Sequence, residues 1–128
     1  MKQEFMLYIR NAGDAKAAMT AAQHLEFVKK CEVYIKRLQE ADQLIAAQPL
    51  LHSGWLLSKS KTGWKSTAID PAKEIQVGYY HIRAFDLEEA IAIAKDNPEF
   101  EYVPSATIEV RPVKTTEEET GFQYPENE

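Results

Sequence analysis

The sequence predicts an α+β fold, a ferredoxin-like βαββαβ sheet with two helices on one face and an inserted β-hairpin. Three observations predict it. Two segments of helical period, about 20–41 and 87–96, are separated by β-prone runs near 4–10, 44–49, 77–84 and 106–113. Two further β-prone runs, 55–59 and 64–68, flank Thr62-Gly63 as the arms of a hairpin would. Each helical segment lies between two strands of the main set, an order that a four-stranded antiparallel sheet with both helices on one face accommodates. The other sheet face must then meet solvent, a ligand or a second subunit.

Taken in order, Phe5-Met6-Leu7-Tyr8-Ile9 is β-prone and ends at the turn signal Asn11-Ala12-Gly13. Phe5, Leu7 and Ile9 fall on one face and Tyr8 and Arg10 on the other. Residues 11–18 read as a loop or a short helical turn. The long helix starts at Thr20 as N-cap. Its apolar stripe is Ala21, His24, Val28, Cys31, Ile35 and Leu38, in steps of three and four, which puts His24 near the centre of a buried face. Leu44–Ala47 leads into a strand that ends at Pro49 or bends there as an edge. Gly63 supplies the positive φ of the hairpin turn, and Trp55 and Trp64 pack the hairpin onto the body or onto a partner.

In the run 77–84, Gly78, Tyr80, Ile82 and Ala84 share one face, and Val77, Tyr79, His81 and Arg83 share the other. Asp86-Leu87-Glu88-Glu89 is a capping box for the second helix, with Leu87, Ala90, Ile91 and Ala94 inward and Asn97-Pro98 as its stop. A loop precedes the last strand. There Ala106, Ile108 and Val110 alternate with Thr107, Glu109 and Arg111.

Composition narrows the class. A chain of 128 residues, 45% apolar and 27% charged, suits one globular domain. A single cysteine forms no internal disulfide, the first residues show no leader pattern, and no apolar run approaches the ~20 residues that span a bilayer. The expectation is a cytoplasmic protein. Of the net charge of −5, residues 114–128 carry −4, one lysine against five glutamates. The acidity thus belongs to a tail, a mobile segment or an arm laid on a partner, after a domain of residues 1–113. No basic stripe exists to take up nucleic acid.

Several motifs occur in a fixed order: Ile69-Asp70-Pro71, Lys73-Glu74, Gly78-Tyr79-Tyr80, Leu87-Glu88-Glu89-Ala90, Asn97-Pro98 and Ile108-Glu109-Val110-Arg111-Pro112-Val113. Together they resemble the YCII-related, or DGPF-domain, family, over about residues 3–113. The resemblance implies a dimeric α/β barrel, a homodimer in which the uncovered sheet faces of two subunits pack together. It also implies a His–Asp pair as the proposed active site, carried over here as His24 and Asp70. The family's Asp-Gly-Pro-Phe is not intact. Asp70 is followed by Pro71 and Ala72, and ungapped alignment on Lys73-Glu74 would place Ser66 at the family's aspartate instead.

Each candidate has two readings. His24 is an acid/base near neutrality, its tautomer fixed by a carboxylate, or a histidine satisfied in the core. Asp70 is the orienter of that imidazole or a turn residue before proline. On the uncovered face, Tyr8, Arg10, Tyr79, His81, Arg83, Thr107, Glu109 and Arg111 either clamp a small anionic ligand or form a polar dimer interface. Cys31 reads as core packing. Cys31, His24, His52 and His81 lack metal-ligand spacing, and no phosphate loop or nucleophile elbow is present. Two functional classes follow. One is a lyase or isomerase without cofactor, in which His24 and Asp70 do acid/base work on a small organic acid and Arg10, Tyr79, His81, Arg83 or Arg111 hold it. The other is a non-catalytic dimeric module binding a small ligand or a protein.

Overall fold

Residues Gln3–Ala12 (β1) and Glu74–Ala84 (β5) form the centre of a four-stranded antiparallel sheet. Leu44–Pro49 (β2) and Thr107–Pro112 (β6) are its edges, in the order β2-β5-β1-β6. This order is compatible with the ferredoxin-like arrangement. The computed structural model describes residues 2–12 and 15–125. Gly13 of the expected turn, and Glu126 and Glu128 of the acidic tail, lie outside the described residues.

The period-2 pattern of β1 places Phe5, Leu7, Ile9 and also Asn11 in the interior. Ala21–Glu40 (α1) and Leu87–Lys95 (α2) cover them. The core joins Phe5, Leu7 and Ile9 to Tyr80 and Ile82 of β5, Tyr34 and Leu38 of α1, and Ala90, Ile93 and Ala94 of α2. Tyr34 stacks edge-on against Tyr80, ring centroids 5.4 Å apart, and donates from its hydroxyl to the Ile93 carbonyl at 2.7 Å.

The helix ends follow local chemistry. Thr20 caps α1 in a reciprocal box: its Oγ1 accepts from Gln23 N at 3.1 Å, and the Gln23 side chain accepts from Thr20 N at 3.0 Å. At the other end Gln43 N donates to Leu38 O and Asp42 N to Gln39 O, with Asp42 left-handed at φ 56°. Asp86 caps α2, accepting from Glu89 N at 2.8 Å. The Glu89 carboxylate accepts from Phe85 N and from Gln43 Nε2, both at 3.2 Å, and so ties the start of α2 to the turn before β2.

Four expectations are corrected. The buried stripe of α1 is Phe27, Tyr34 and Leu38, with Cys31 and Ile35 half-buried. His24 is exposed along with every other residue from Ala21 to Glu26. Steps of three and four fit either stripe, and the bulky aromatic pair wins the core. Val77 is buried too, because the β1–β5 register jumps from Ile9↔Gly78 to Arg10↔Gln76. That bulge turns Val77 inward beside Gly78. On α2, Ile93 is buried whereas Leu87 and Ile91 are exposed. The loop after Asn97-Pro98 contains a helical turn, Glu99–Tyr102 (α3). As expected of an inserted hairpin, the strands Trp55–Ser60 (β3) and Gly63–Ala68 (β4) pair with each other, with Gly63 at φ 129°, and form a sheet of their own. Trp55 and Trp64 are exposed, so of their two expected packing surfaces the body of this chain is not the one they use.

The segment after β6 folds back on itself through a Thr116↔Gln123 bridge. No helix among the described residues is long and apolar enough to cross a membrane.

Candidate functional site

Two hollows and one open face hold the residues singled out above. The first hollow, about 400 Å³, lies between α1 and the ends of β1, β2 and β5. Its walls are mostly apolar: Ile9, Phe27, Val28, Ile35, Val77 and Tyr80. Gly78 is needed here. A Cβ on it would stand 3.1 Å from Gln48 O and 3.4 Å from Pro49 Cα, both backbone atoms of β2. His24, Lys16, Cys31, Glu32, Gln48, Tyr79 and Glu99 supply the polar lining. His24 stands in solvent at the border of the cavity, its ring 6.5 Å from that of Phe27.

Beside this cavity the structure buries a charge. Glu99 is 4% exposed. One carboxylate oxygen accepts from Asn11 Nδ2 at 2.7 Å, and the other lies 3.3 Å from Lys16 Nζ. Asn97 Oδ1 accepts from Glu99 N at 2.9 Å. Lys16 Nζ also lies 4.5 Å from the centre of the Phe27 ring. A buried carboxylate is tolerated when paired and hydrogen-bonded, as this one is. Asn97 Nδ2 is buried without a hydrogen-bond partner among the described residues. Burial pushes the Cys31 thiol up to about 11 and raises the phenols of Tyr34 and Tyr80 well above their usual range.

The second hollow, about 840 Å³, lies where the hairpin joins the sheet. Leu50, Leu51, Leu56, Ile69 and Ile75 wall it, and Arg10, His52, Asp70, Lys73 and Glu74 line it. Asp70 is exposed, and its Oδ1 accepts from Ala72 N at 3.0 Å, the hydrogen bond of an Asx turn. Arg10 Nε lies 3.6 Å from Glu74.

The third region is the sheet face away from the helices. The register sets Tyr8 between Tyr79 and Glu109, Met6 between His81 and Arg111, and Glu4 opposite Arg83. His81 Nε2 is 2.7 Å from the Glu4 carboxylate, both side chains mostly buried. Arg83 pairs with Asp42 at 3.7 Å and Arg111 with Glu109 at 3.5 Å.

The expected site residues therefore divide into three groups. His24 and Tyr79 border the cavity, Arg10 and Asp70 line the cleft, and His81, Arg83 and Arg111 stand on the open face. His24 and Asp70 share no hollow and no hydrogen bond among the described residues. Ser66, the alternative to Asp70, is exposed on β4 opposite Leu57. Each arginine expected to clamp an anion has a carboxylate of its own chain beside it. Sequence reasoning missed Lys16, Asn11 and Glu99. For Asn11 a signal existed: it continues the inward parity of Phe5, Leu7 and Ile9, and a buried amide demands a partner. Among the described residues no three His, Cys, Asp or Glu side chains are grouped to hold a metal.

The antiparallel sheet, the helices on one face and the hairpin inserted before the second central strand define a class of small α+β domains. Within that class the chain belongs to the YCII-related domain family, whose model matches residues 4–117. No curated protein matches the chain.

Proposed function

We propose that this protein binds a small organic acid in the cavity between α1 and the β2 edge, and that His24 exchanges a proton with it at the mouth. The observation that carries this reading is the cavity itself. It is mainly apolar, within the ~300–1,000 Å³ range of ligand sites, and bordered by a few convergent polar groups of which His24 is solvent-reachable. An imidazole both accepts and donates a proton through its ring nitrogens, the part a lyase or isomerase needs to move a proton on a carbon acid. Lys16 is the cation that lines the cavity, packed on the Phe27 ring and shared with Glu99, and the acid's carboxylate would compete with Glu99 for it.

A second reading, a binding module without turnover, is favoured by the separation of Asp70 from His24. In both readings the protein acts as a homodimer, with the uncovered sheet faces of two subunits packed into a barrel and their charges paired. Light scattering at micromolar concentration tests this; a monomer would count against it.

The test of the site is a thermal-shift screen of small organic acids on wild type, His24→Ala and Asp70→Ala. A ligand at 100 times its dissociation constant adds about 2.7 kcal/mol to the folded state, a readable shift. Hits should vanish in His24→Ala and persist in Asp70→Ala. Hits that survive in His24→Ala, or a screen with none, would remove the cavity from consideration. Turnover of a hit by wild type then separates the enzyme from the module.

A further inference from the structure

The hairpin leaves Trp55, Leu56, Leu57 and Trp64 each more than 60% exposed. In its register Trp55 faces Ala68, Leu57 faces Ser66, and Lys59 faces Trp64. Trp55, Leu57 and Trp64 thus share one side of the ribbon. Leu56 and Thr67 take the other side, which walls the Asp70 cleft. A two-stranded ribbon is at best marginally stable alone, and a cluster of exposed apolar side chains marks a contact surface.

Charge indicates what covers it. Residues 43–69 contain three lysines, Lys59, Lys61 and Lys65, and no aspartate or glutamate. The chain is −5, so everything outside that stretch sums to −8. Among the described residues, Glu32, Glu40 and Glu88 stand singly on the helices without an ion-pair or hydrogen-bond partner, and after β6 two such carboxylates are adjacent. Lys114 and the Tyr124 hydroxyl hold Glu117, whereas the exposed Glu118 and Glu119 carboxylates have no ion-pair or hydrogen-bond partner among the described residues. The same segment exposes an aromatic pair, Phe122 and Tyr124, edge to face at 5.2 Å. A cationic, tryptophan-bearing ribbon and an acidic, aromatic arm are complementary in both charge and polarity.

We infer that the β3–β4 hairpin docks on the C-terminal arm, residues 114–125, of a second copy, with Lys59 of the tryptophan side and Lys61 of the turn toward Glu118 and Glu119 and the tryptophans toward Phe122 and Tyr124. Two-fold symmetry makes the contact twice per dimer. The inference rests on the homodimer proposed above but uses a different contact from the sheet faces.

Trp55 and Trp64 are the chain's two tryptophans, so the protein carries its own reporter. On concentrating the wild type from nanomolar to micromolar, emission shifts to shorter wavelength as sedimentation shows dimer forming, and salt opposes both changes. Lys59→Glu/Lys61→Glu and Glu118→Lys/Glu119→Lys, each alone, weaken the dimer at least about tenfold, since like charges then face each other. Mixed one to one, the two variants form a heterodimer and the blue shift returns. All four positions are exposed, so folding is not at stake. A wild-type dimer whose tryptophan emission ignores association and whose assembly ignores both charge reversals would overturn the hairpin contact and leave the sheet-face dimer standing. A mixture that fails to reassociate would also overturn it. A monomeric wild type would remove both contacts, and binding of that monomer to vesicles of anionic lipid would assign the hairpin to a membrane surface.

Discussion

The cavity at His24 is walled by a helix and the ends of three strands and adjoins a buried carboxylate, whereas the cleft at Asp70 is walled by a hairpin and the loops at its base. The two differ in what keeps their shape. Around the cavity the floor is core: Ile9, Val77 and Tyr80 belong to the same cluster as Phe5 and Ile82, while His24, Val28 and Glu32 of α1 form an exposed rim. The geometry of that floor is therefore as stable as the fold. Around the cleft four of the five apolar walls, Leu50, Leu51, Leu56 and Ile69, are exposed residues of turns or of one side of the ribbon, and Ile75 of β5 packs against the core. Such a site takes its final shape from what the ribbon packs on. Preorganisation belongs to the first, adaptability to the second.

The largest effect that would break this contrast concerns Glu99. Glu99→Ala leaves Lys16 and the buried Asn11 amide without their acceptor, a loss of about 3 kcal/mol by the usual cost of breaking a buried ion pair. Urea denaturation measures it. A loss below about 1 kcal/mol would mean that the corner is not held by this carboxylate and that the cavity is softer than argued.

Gly78→Ala is next. The added methyl meets backbone atoms of β2 at 3.1 and 3.4 Å, so the edge strand must move, at about 2 kcal/mol for overpacking. Because β2 is also a cavity wall, the variant should lose ligand-induced thermal shift as well as stability. Retained shifts in a destabilised variant would separate the cavity from the β2 edge.

The third concerns protons held in the core. Tyr34→Phe removes the hydroxyl that donates to Ile93 O and should cost about 1–2 kcal/mol. The pH dependence has a definite sign. Cys31, Tyr34 and Tyr80 all bind their protons more tightly folded than unfolded. The stability they contribute is complete below their unfolded values and is lost as pH rises through the folded ones. For Cys31 the window runs from 9.0 to about 11, and for the tyrosines it begins at 10.0. Unfolding free energy should fall across this range and fall less in Tyr34→Phe. A flat profile between these limits would show that the residues beside the cavity are hydrated.

Most of the fold was legible in the sequence because it rests on local signals. Thr20 and Asp86 cap their helices, Gly63 turns the hairpin, and the alternation of β1 sorts Phe5, Leu7 and Ile9 from Tyr8 and Arg10. What escaped depends on phase or on distance along the chain. The bulge between Ile9 and Arg10 flips Val77 without any mark in the local pattern. The stripe of α1 is displaced toward Phe27 and Tyr34, so a histidine placed in the core stands instead at a cavity mouth. The bond between Asn11 and Glu99 joins residues 88 apart, and no periodicity reports such a pair. The site was the less legible part for the same reason. His24, Asp70 and the arginines were each noticed, but which of them share a hollow is a property of the packed chain.

The smallest expected effect is also the sharpest test of the cleft. Asp70→Ala gives up one exposed turn hydrogen bond, to Ala72 N, and should change stability by no more than about 0.5 kcal/mol. Asp70→Asn keeps an oxygen for that hydrogen bond and removes only the charge. If Asp70 is a turn residue, Asn matches wild type in stability and in every ligand response. If its carboxylate acts on a ligand or on His52 across the cleft, Asn retains the stability and loses the response, and the effect should depend on salt because the group is solvent-exposed. Measured beside His24→Ala, the Asn variant decides whether the two hollows serve one chemistry or two. A response lost in both would join residues that the folded chain keeps apart, which requires the assembled dimer to bring them together.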